Sequence, residues 1–144
     1  MSWSALLTYA LQALMTNVSC VAVIEDDTDA RVSLGRVLRA GGFDARCYAS
    51  AEDFLSSGAL EPLCLLLDMQ LEGMSGLELL RGLRSEGSSL PVIVLTASDD
   101  PDSRSEAERL GCVAYFLKPF QGRALVTLVR GLASERQQAQ SVSK

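Results

Sequence analysis

The stretch Leu63-Cys-Leu-Leu-Leu67 is an unbroken apolar run that ends directly in the acidic residue Asp68. A run without polar alternation is typical of a parallel strand that helices cover on both faces. Similar junctions between an apolar run and charged residues occur twice more, at Cys20-Val-Ala-Val-Ile24 before Glu25-Asp26 and at Val113-Ala-Tyr-Phe-Leu117 before Lys118-Pro119.

Short strand patterns alternate with helical periods along the rest of the chain. The predicted strands span about 20–25, 43–48, 63–67, 92–96 and 113–117, and the predicted helices about 28–40, 50–57, 76–85, 100–110 and 121–134. Five such pairs predict a doubly wound α/β domain, a flavodoxin-like (βα)5 three-layer sandwich. Right-handed crossovers favour a parallel five-stranded sheet of order 2-1-3-4-5, in which strands one and three are neighbours.

Length and composition fit one folded domain, since the chain has 144 residues and 48% of them are apolar. The net charge of −5 disfavours direct nucleic-acid binding, which needs clustered Lys and Arg. The chain has no histidine, so any histidine in the chemistry must come from another protein. The four cysteines lack a CxxC pair and predict buried thiols in the cytoplasm, with a disulfide or metal site as the alternative.

The two ends of the chain are predicted to lie outside the domain, which we place at 18–134. Residues 1–17 form an N-terminal extension, either a helix for docking or dimerisation or an addition before a start at Met15. This extension is shorter than the roughly 20 apolar residues that span a bilayer, and it lacks the basic start of a secretory signal. Residues 135–144 are polar, and we expect a loose tail or the start of a linker.

The acidic residues at the strand ends predict a magnesium site. Carboxylates that meet at one sheet edge repel each other, which implies a bound cation, and Mg²⁺ suits an all-oxygen ligand set. We expect Asp26 to contact the metal directly and Glu25 to act more peripherally or through water. Asp68 and the backbone carbonyl of Gln70 complete the expected ligand set.

The same residues predict phosphoryl transfer. A carboxylate can attack phosphorus and form an aspartyl phosphate, and the central position of Asp68 makes it the expected nucleophile. Lys118 would neutralise phosphoryl oxygens, and Thr96 could donate its hydroxyl to one of them. Taken alone, each residue has an ordinary explanation, such as a turn cap or a surface charge. Asp27 is expected to have such a role, because either Asp27 or Thr28 would cap the first helix.

Four stretches carry a resemblance to a known family: Val21-Ala-Val-Ile-Glu-Asp-Asp27, Leu65-Leu-Leu-Asp68 with Gly73–Gly76, Pro91-Val-Ile-Val-Leu-Thr-Ala97, and Tyr115-Phe-Leu-Lys-Pro-Phe120. Together they resemble the receiver domain of bacterial two-component response regulators over about residues 18–134. The resemblance implies a signalling switch and not an enzyme, because its only catalysis would assist its own phosphorylation and dephosphorylation.

The resemblance also implies residue roles and partners. Asp68 would receive phosphate from the histidine of a partner sensor kinase, with Mg²⁺ held by the acidic pair after strand one. The bond before Pro119 would be cis. Thr96 and Tyr115 would form a switch pair that remodels the face of helix four, strand five and helix five. That face would control an unknown downstream protein or a missing output domain, and a phosphorylation-dependent dimer is a further partner this interpretation allows.

Three positions are notable when the chain is compared with the family pattern. Glu72 stands where many members have proline, which adds negative charge and predicts a less rigid loop. The resemblance implies that Gln70 and Ser98 lie at positions that tune phosphate lifetime. Two alternatives remain: a small phosphatase with an Asp nucleophile, against which Gln70 counts because a second acid usually stands there, and a binding module that has lost phosphorylation.

Overall fold

The computed structural model describes residues 2–7 and 17–142, and its centre is one parallel sheet. The strands of this sheet are β1 (Asn17–Ile24), β2 (Asp44–Tyr48), β3 (Pro62–Asp68), β4 (Val92–Thr96) and β5 (Ala114–Leu117). They pair in the order β2-β1-β3-β4-β5, and every pairing is parallel. The predicted sheet and strand order are therefore confirmed.

Helices cover both faces of the sheet. Besides the helical residues 3–7, the described part of the chain contains five of them: α1 (Thr28–Ala40), α2 (Ala51–Ser56), α3 (Gly76–Ser85), α4 (Pro101–Arg109) and α5 (Gly122–Val142). Side chains of α1 and α5 pack in one apolar cluster, and those of α2, α3 and α4 pack in the other. The result is the predicted three-layer sandwich. None of the helices within residues 2–7 and 17–142 is long and apolar enough to cross a membrane.

Strand β3 shows why a continuous apolar run was needed. All seven of its residues are buried. Cys64 and Leu66 belong to the cluster with α1 and α5, whereas Leu65 and Leu67 belong to the cluster on the opposite face. Because successive side chains of a strand point to opposite faces, both sets must be apolar when both faces are covered.

The ends of α1 follow the local sequence. The Asp27 side chain accepts a hydrogen bond from the Ala30 N–H at 2.8 Å and caps the first turn. At the other end the cap is Gly41, and Gly42 follows with φ of +94°, a left-handed conformation that glycine adopts at little cost. Asp27 is therefore the cap in the pair of candidates, Asp27 and Thr28.

The expectation of a loose tail from residue 135 is wrong for residues 135–142, which continue α5 without a break. Glu, Arg, Gln and Ala are good helix formers, and neither Gly nor Pro occurs between residues 132 and 142. Polar composition alone does not end a helix that a packed segment has already started. At the other end, residues 3–7 are helical, and residues 8–16 of the predicted N-terminal helix lie outside the described residues.

The four cysteines are free thiols. Cys20 and Cys64 are buried, and Cys47 and Cys112 are partly buried. Burial raises the pKa of all four thiols, that of Cys64 to about 12. These thiols are therefore poor nucleophiles, since reactivity requires the thiolate.

Candidate functional site

The carboxyl ends of three neighbouring strands place buried polar side chains at one edge of the sheet. Glu25 follows β1, Asp68 ends β3 and Thr96 ends β4, with exposed fractions of only 2%, 5% and 1%. Burying a polar group costs free energy unless it finds hydrogen-bond partners. Each of the three finds at least one partner in the structure.

Carboxylate oxygens of Glu25, Asp26 and Asp68 lie within 4.8 Å of one another. Two of the three residues are buried, whereas Asp26 is exposed. Hard divalent cations such as Mg²⁺ bind all-oxygen sites of this kind and keep several waters. The residues present therefore fit a magnesium ion.

Lys118 joins the two buried carboxylates. Its Nζ donates to Glu25 Oε2 at 2.6 Å and to Asp68 Oδ2 at 3.3 Å. The Lys118 backbone N–H also donates to the Thr96 carbonyl oxygen at 2.8 Å, which holds the end of β5 against β4. The peptide bond between Lys118 and Pro119 is cis. Residues about fifty and ninety positions apart along the chain thus meet at one ammonium group.

Burial and charge act in opposite directions on this group of side chains. Burial raises the pKa of the Glu25 carboxyl above its ordinary value, and the hydrogen bond from Lys118 opposes this only in part. Burial disfavours the Lys118 ammonium, but the bond to Glu25 and the charge of Asp68 outweigh it and raise the Lys118 pKa. Lys118 is therefore a stable cation near neutral pH.

Both oxygens of Asp68 have a hydrogen-bond donor. Oδ1 accepts from the Gln70 N–H at 2.9 Å, and Oδ2 accepts from Lys118. The first bond places the backbone of Gln70 beside the carboxylate, although it fixes the amide and not the predicted carbonyl ligand. Asp68 is thereby held in one orientation at the edge of the acidic cluster.

The backbone of Asp68 is also packed closely by the start of α3. A Cβ added at Gly76 would collide with the Asp68 carbonyl oxygen and lie 2.8 Å from Met69 Cα. The Ser75 side chain accepts a hydrogen bond from the Glu78 N–H at 3.1 Å, within a capping box that fixes the first turn of this helix. Only glycine permits this close approach between helix and strand end.

Replacing Gly76 by Ala should lower the free energy of unfolding by about 1–3 kcal/mol, because backbone atoms must move to admit the methyl group. Gly82→Ala is the matched control, since Gly82 lies in the same helix with open space around it. That control should be neutral or stabilise by up to about 1 kcal/mol. Urea denaturation of both variants measures the difference, and equal stabilities would contradict the packing argument.

Thr96 and Tyr115 lie on the two neighbouring strands β4 and β5. The Thr96 hydroxyl donates to the Ser98 carbonyl oxygen at 3.3 Å and accepts from the Ser98 N–H at 3.2 Å. The Tyr115 ring is half-buried, and the Arg104 guanidinium of α4 lies 5.2 Å from its centroid, a cation–π contact. In this structure the hydroxyl is therefore engaged by the β4–α4 loop, and the ring by α4.

Two side chains that support the site were not identified from the sequence. Arg31 of α1 donates from Nη1 to the Glu25 carbonyl oxygen at 2.7 Å and to the Asp26 carbonyl oxygen at 3.3 Å, which holds the loop after β1. Glu52 of α2 accepts a hydrogen bond from the Met74 N–H at 3.2 Å. Arg31 lies one helical turn after Asp27, so its long side chain could have been predicted to reach the loop after β1. Nothing in the sequence around Glu52 predicts its contact with Met74.

The sequence profile of the response regulator receiver domain matches residues 21–130. The chain belongs to this family. Receiver domains act in two-component signalling, where they take phosphate from sensor histidine kinases and generally bind Mg²⁺ at an acidic pocket. The resemblance inferred from the four sequence stretches is thereby confirmed.

Curated relatives of this receiver domain are longer proteins. It is 38% identical over 111 residues to the transcriptional regulatory protein FixJ of Azorhizobium caulinodans. The aligned stretch covers 76% of this chain and 53% of the relative. It is 33% identical over 132 residues to the transcriptional regulatory protein TdiR of Thauera aromatica, covering 90% and 58%. The receiver domain chain thus spans a little over half the length of these relatives.

Solved structures show the same fold. The response regulator StyR has 32% sequence identity and a TM-score of 0.74, with 86% of this chain and 65% of StyR covered. The crystal structure of FixJ-N has 32% identity and a TM-score of 0.69, with 81% of this chain and 93% of FixJ-N covered. The receiver domain therefore shares its architecture with both.

Proposed function

We propose that this receiver domain, residues 18–134, accepts a phosphoryl group on Asp68 from a sensor histidine kinase in the presence of Mg²⁺. The domain would thereby act as a signalling switch. The observation that carries the proposal is the convergence of Glu25, Asp26, Asp68 and Lys118 at one sheet edge. Capping a helix or a turn does not require all four at one point.

Transfer to Asp68 would form one bond and break another. A carboxylate oxygen of Asp68 attacks phosphorus, the new O–P bond forms, and the P–N bond of a phosphohistidine breaks. The leaving nitrogen keeps the electron pair. The donor histidine would lie outside residues 1–144, which contain none.

The cation and Lys118 have separate tasks in this proposal. Glu25, Asp26, Asp68 and the Gln70 carbonyl would hold Mg²⁺, which supplies positive charge for the phosphoryl oxygens. Lys118 already lies at Asp68 Oδ2 and would transfer its hydrogen bond to a phosphoryl oxygen. Its raised pKa keeps this charge in place.

The output would start at Thr96. Once Asp68 carries a phosphoryl group, the Thr96 hydroxyl gains a charged acceptor in place of the neutral Ser98 carbonyl. Tyr115 would leave its contact with Arg104 and turn inward, which changes the surface of α4, β5 and α5. Such differential contacts are what a two-state shift requires. We propose that this surface controls a cytoplasmic partner or an output domain.

Removal of the metal provides the test. The purified protein is incubated with acetyl phosphate and Mg²⁺, and its intact mass is measured with and without an excess of chelator. We expect a gain of one phosphoryl group with Mg²⁺ and no gain after chelation. Incorporation that does not depend on Mg²⁺ would contradict the metal assignment, and repeated turnover of a small phosphate ester would favour an enzyme.

A further inference from the structure

The loop between β3 and α3 is held by a side chain from a different element. Glu52, in the first turn of α2, accepts a hydrogen bond through Oε1 from the Met74 N–H at 3.2 Å. Its other carboxylate oxygen occupies the space that a Cβ on Gly73 would need. Gly73 itself has φ of +75°, a left-handed conformation that favours glycine, and the Glu52 carboxylate lies against it.

The same loop begins at Asp68. At that end the Gln70 N–H bonds to Asp68 Oδ1, and at the far end Ser75 caps α3. Among the hydrogen bonds described for residues 69–75, the one that Glu52 accepts connects the loop to an element outside the unit formed by β3, the loop and α3. Met69, Leu71 and Met74 of the loop also pack against the apolar cluster on this face of the sheet, and Glu52 adds a polar anchor at the Met74 amide.

The sequence of the loop makes this anchor more important. A proline would restrict the backbone through a fixed φ, and residues 69–74 include none. A hydrogen bond between the loop backbone and a side chain of a neighbouring helix can restrict this backbone without a proline ring. A restricted loop loses less conformational freedom when it binds a ligand.

We propose that Glu52 is a positioning residue for the phosphorylation site, which holds the backbone of Gln70 beside Asp68 by fixing the loop at Met74. The inference rests on the proposed function of Asp68. A simpler role for Glu52 is that of an acidic residue near the positive end of the α2 dipole. Asp53 is a second acidic residue in the same first turn of α2 and serves as the control.

Three variants separate these roles: Glu52→Ala removes the acceptor, Glu52→Gln keeps an acceptor oxygen without charge, and Asp53→Ala removes a charge from the same helix turn. Glu52 and Asp53 are both exposed, so all three variants should fold. Hydrogen exchange of the Met74 amide is followed by NMR without phosphodonor. The initial rate of phosphorylation by acetyl phosphate at fixed Mg²⁺ is followed by intact mass.

In Glu52→Ala we expect exchange at Met74 to become about tenfold faster and phosphorylation roughly three- to tenfold slower, the size of one lost hydrogen bond. Glu52→Gln and Asp53→Ala should stay near wild type in both measurements. Unchanged exchange in Glu52→Ala, unchanged phosphorylation despite faster exchange, or Glu52→Gln as slow as Glu52→Ala would each overturn the proposal. Because exchange is read without phosphodonor, a failed anchor is distinguishable from a wild-type protein that takes no phosphate, which would overturn the proposed function itself.

Discussion

Replacing Asp68 by Asn should abolish phosphate incorporation from a small phosphodonor in the presence of Mg²⁺. The amide has nearly the same shape but is a far weaker nucleophile than the carboxylate, and it also removes one anionic oxygen from the acidic cluster. Since Asn can still accept from the Gln70 N–H, the loop geometry should survive. Intact mass measured over time should show no gain in the variant.

The control for this experiment is Asp27→Asn. Asp27 belongs to the same acidic stretch, but its side chain caps α1, and Asn caps helices as well as Asp does. This variant should incorporate phosphate at a rate close to that of the wild type. Equal incorporation in the wild type and in Asp68→Asn would show that another residue accepts the phosphoryl group.

Replacing Lys118 by Met should both stop phosphorylation and destabilise the metal-free protein. The substitution leaves the buried Glu25 carboxylate beside Asp68 without its cation. Removing one partner of a buried pair costs several kcal/mol, but the Lys118 side chain is 26% exposed, so we expect a loss of about 1–3 kcal/mol. Guanidinium denaturation in the presence of chelator measures this loss of unfolding free energy.

Two further variants show whether the pairing causes that loss. Arg123→Met removes an exposed cation of α5 and should leave the unfolding free energy almost unchanged. Adding Glu25→Gln to Lys118→Met removes the unpaired carboxylate and should restore part of the stability without restoring phosphorylation. A Lys118→Met protein as stable as wild type would contradict the account of the ion pair.

One geometric rule made it possible to predict from the sequence where these charged side chains would meet. In a parallel sheet the carboxyl ends of strands lie at one edge, so an apolar run followed at once by Asp68 or Lys118 already indicates where the charge will lie. The rule needs only strand existence and order. The unbroken apolar runs indicated the central strands, and right-handed crossovers favoured the order. β1 begins at Asn17, earlier than predicted, but it still ends next to Glu25.

Contacts between distant backbone and side-chain atoms could not be predicted in this way. The bond from Met74 to Glu52 depends on how α2 and the loop after β3 are placed, and neither segment contains a local signal for it. The contact of Arg104 with Tyr115 depends in the same way on the packing of α4. The departure from the family pattern at Glu72 predicted a less rigid loop, and the structure shows a hydrogen bond from the Met74 N–H of this loop to Glu52 of α2.

The C-terminal end of helix α5 was predicted incorrectly. Its polar composition predicted a loose tail, whereas helix continuation depends on propensity and on the absence of a stop signal. A polar segment that follows a packed helix should therefore be judged by its Gly and Pro content before its hydropathy.

The central claim is that the phosphoryl group resides on Asp68. Borohydride reduces an aspartyl phosphate to homoserine, which marks the modified residue permanently. The wild-type protein is treated with acetyl phosphate and Mg²⁺, reduced, digested and mapped by mass spectrometry. We expect homoserine in place of Asp68 and unchanged residues at Asp26 and Asp27. Homoserine at either of those two positions, or a phosphate that survives on a serine or threonine, would contradict the account.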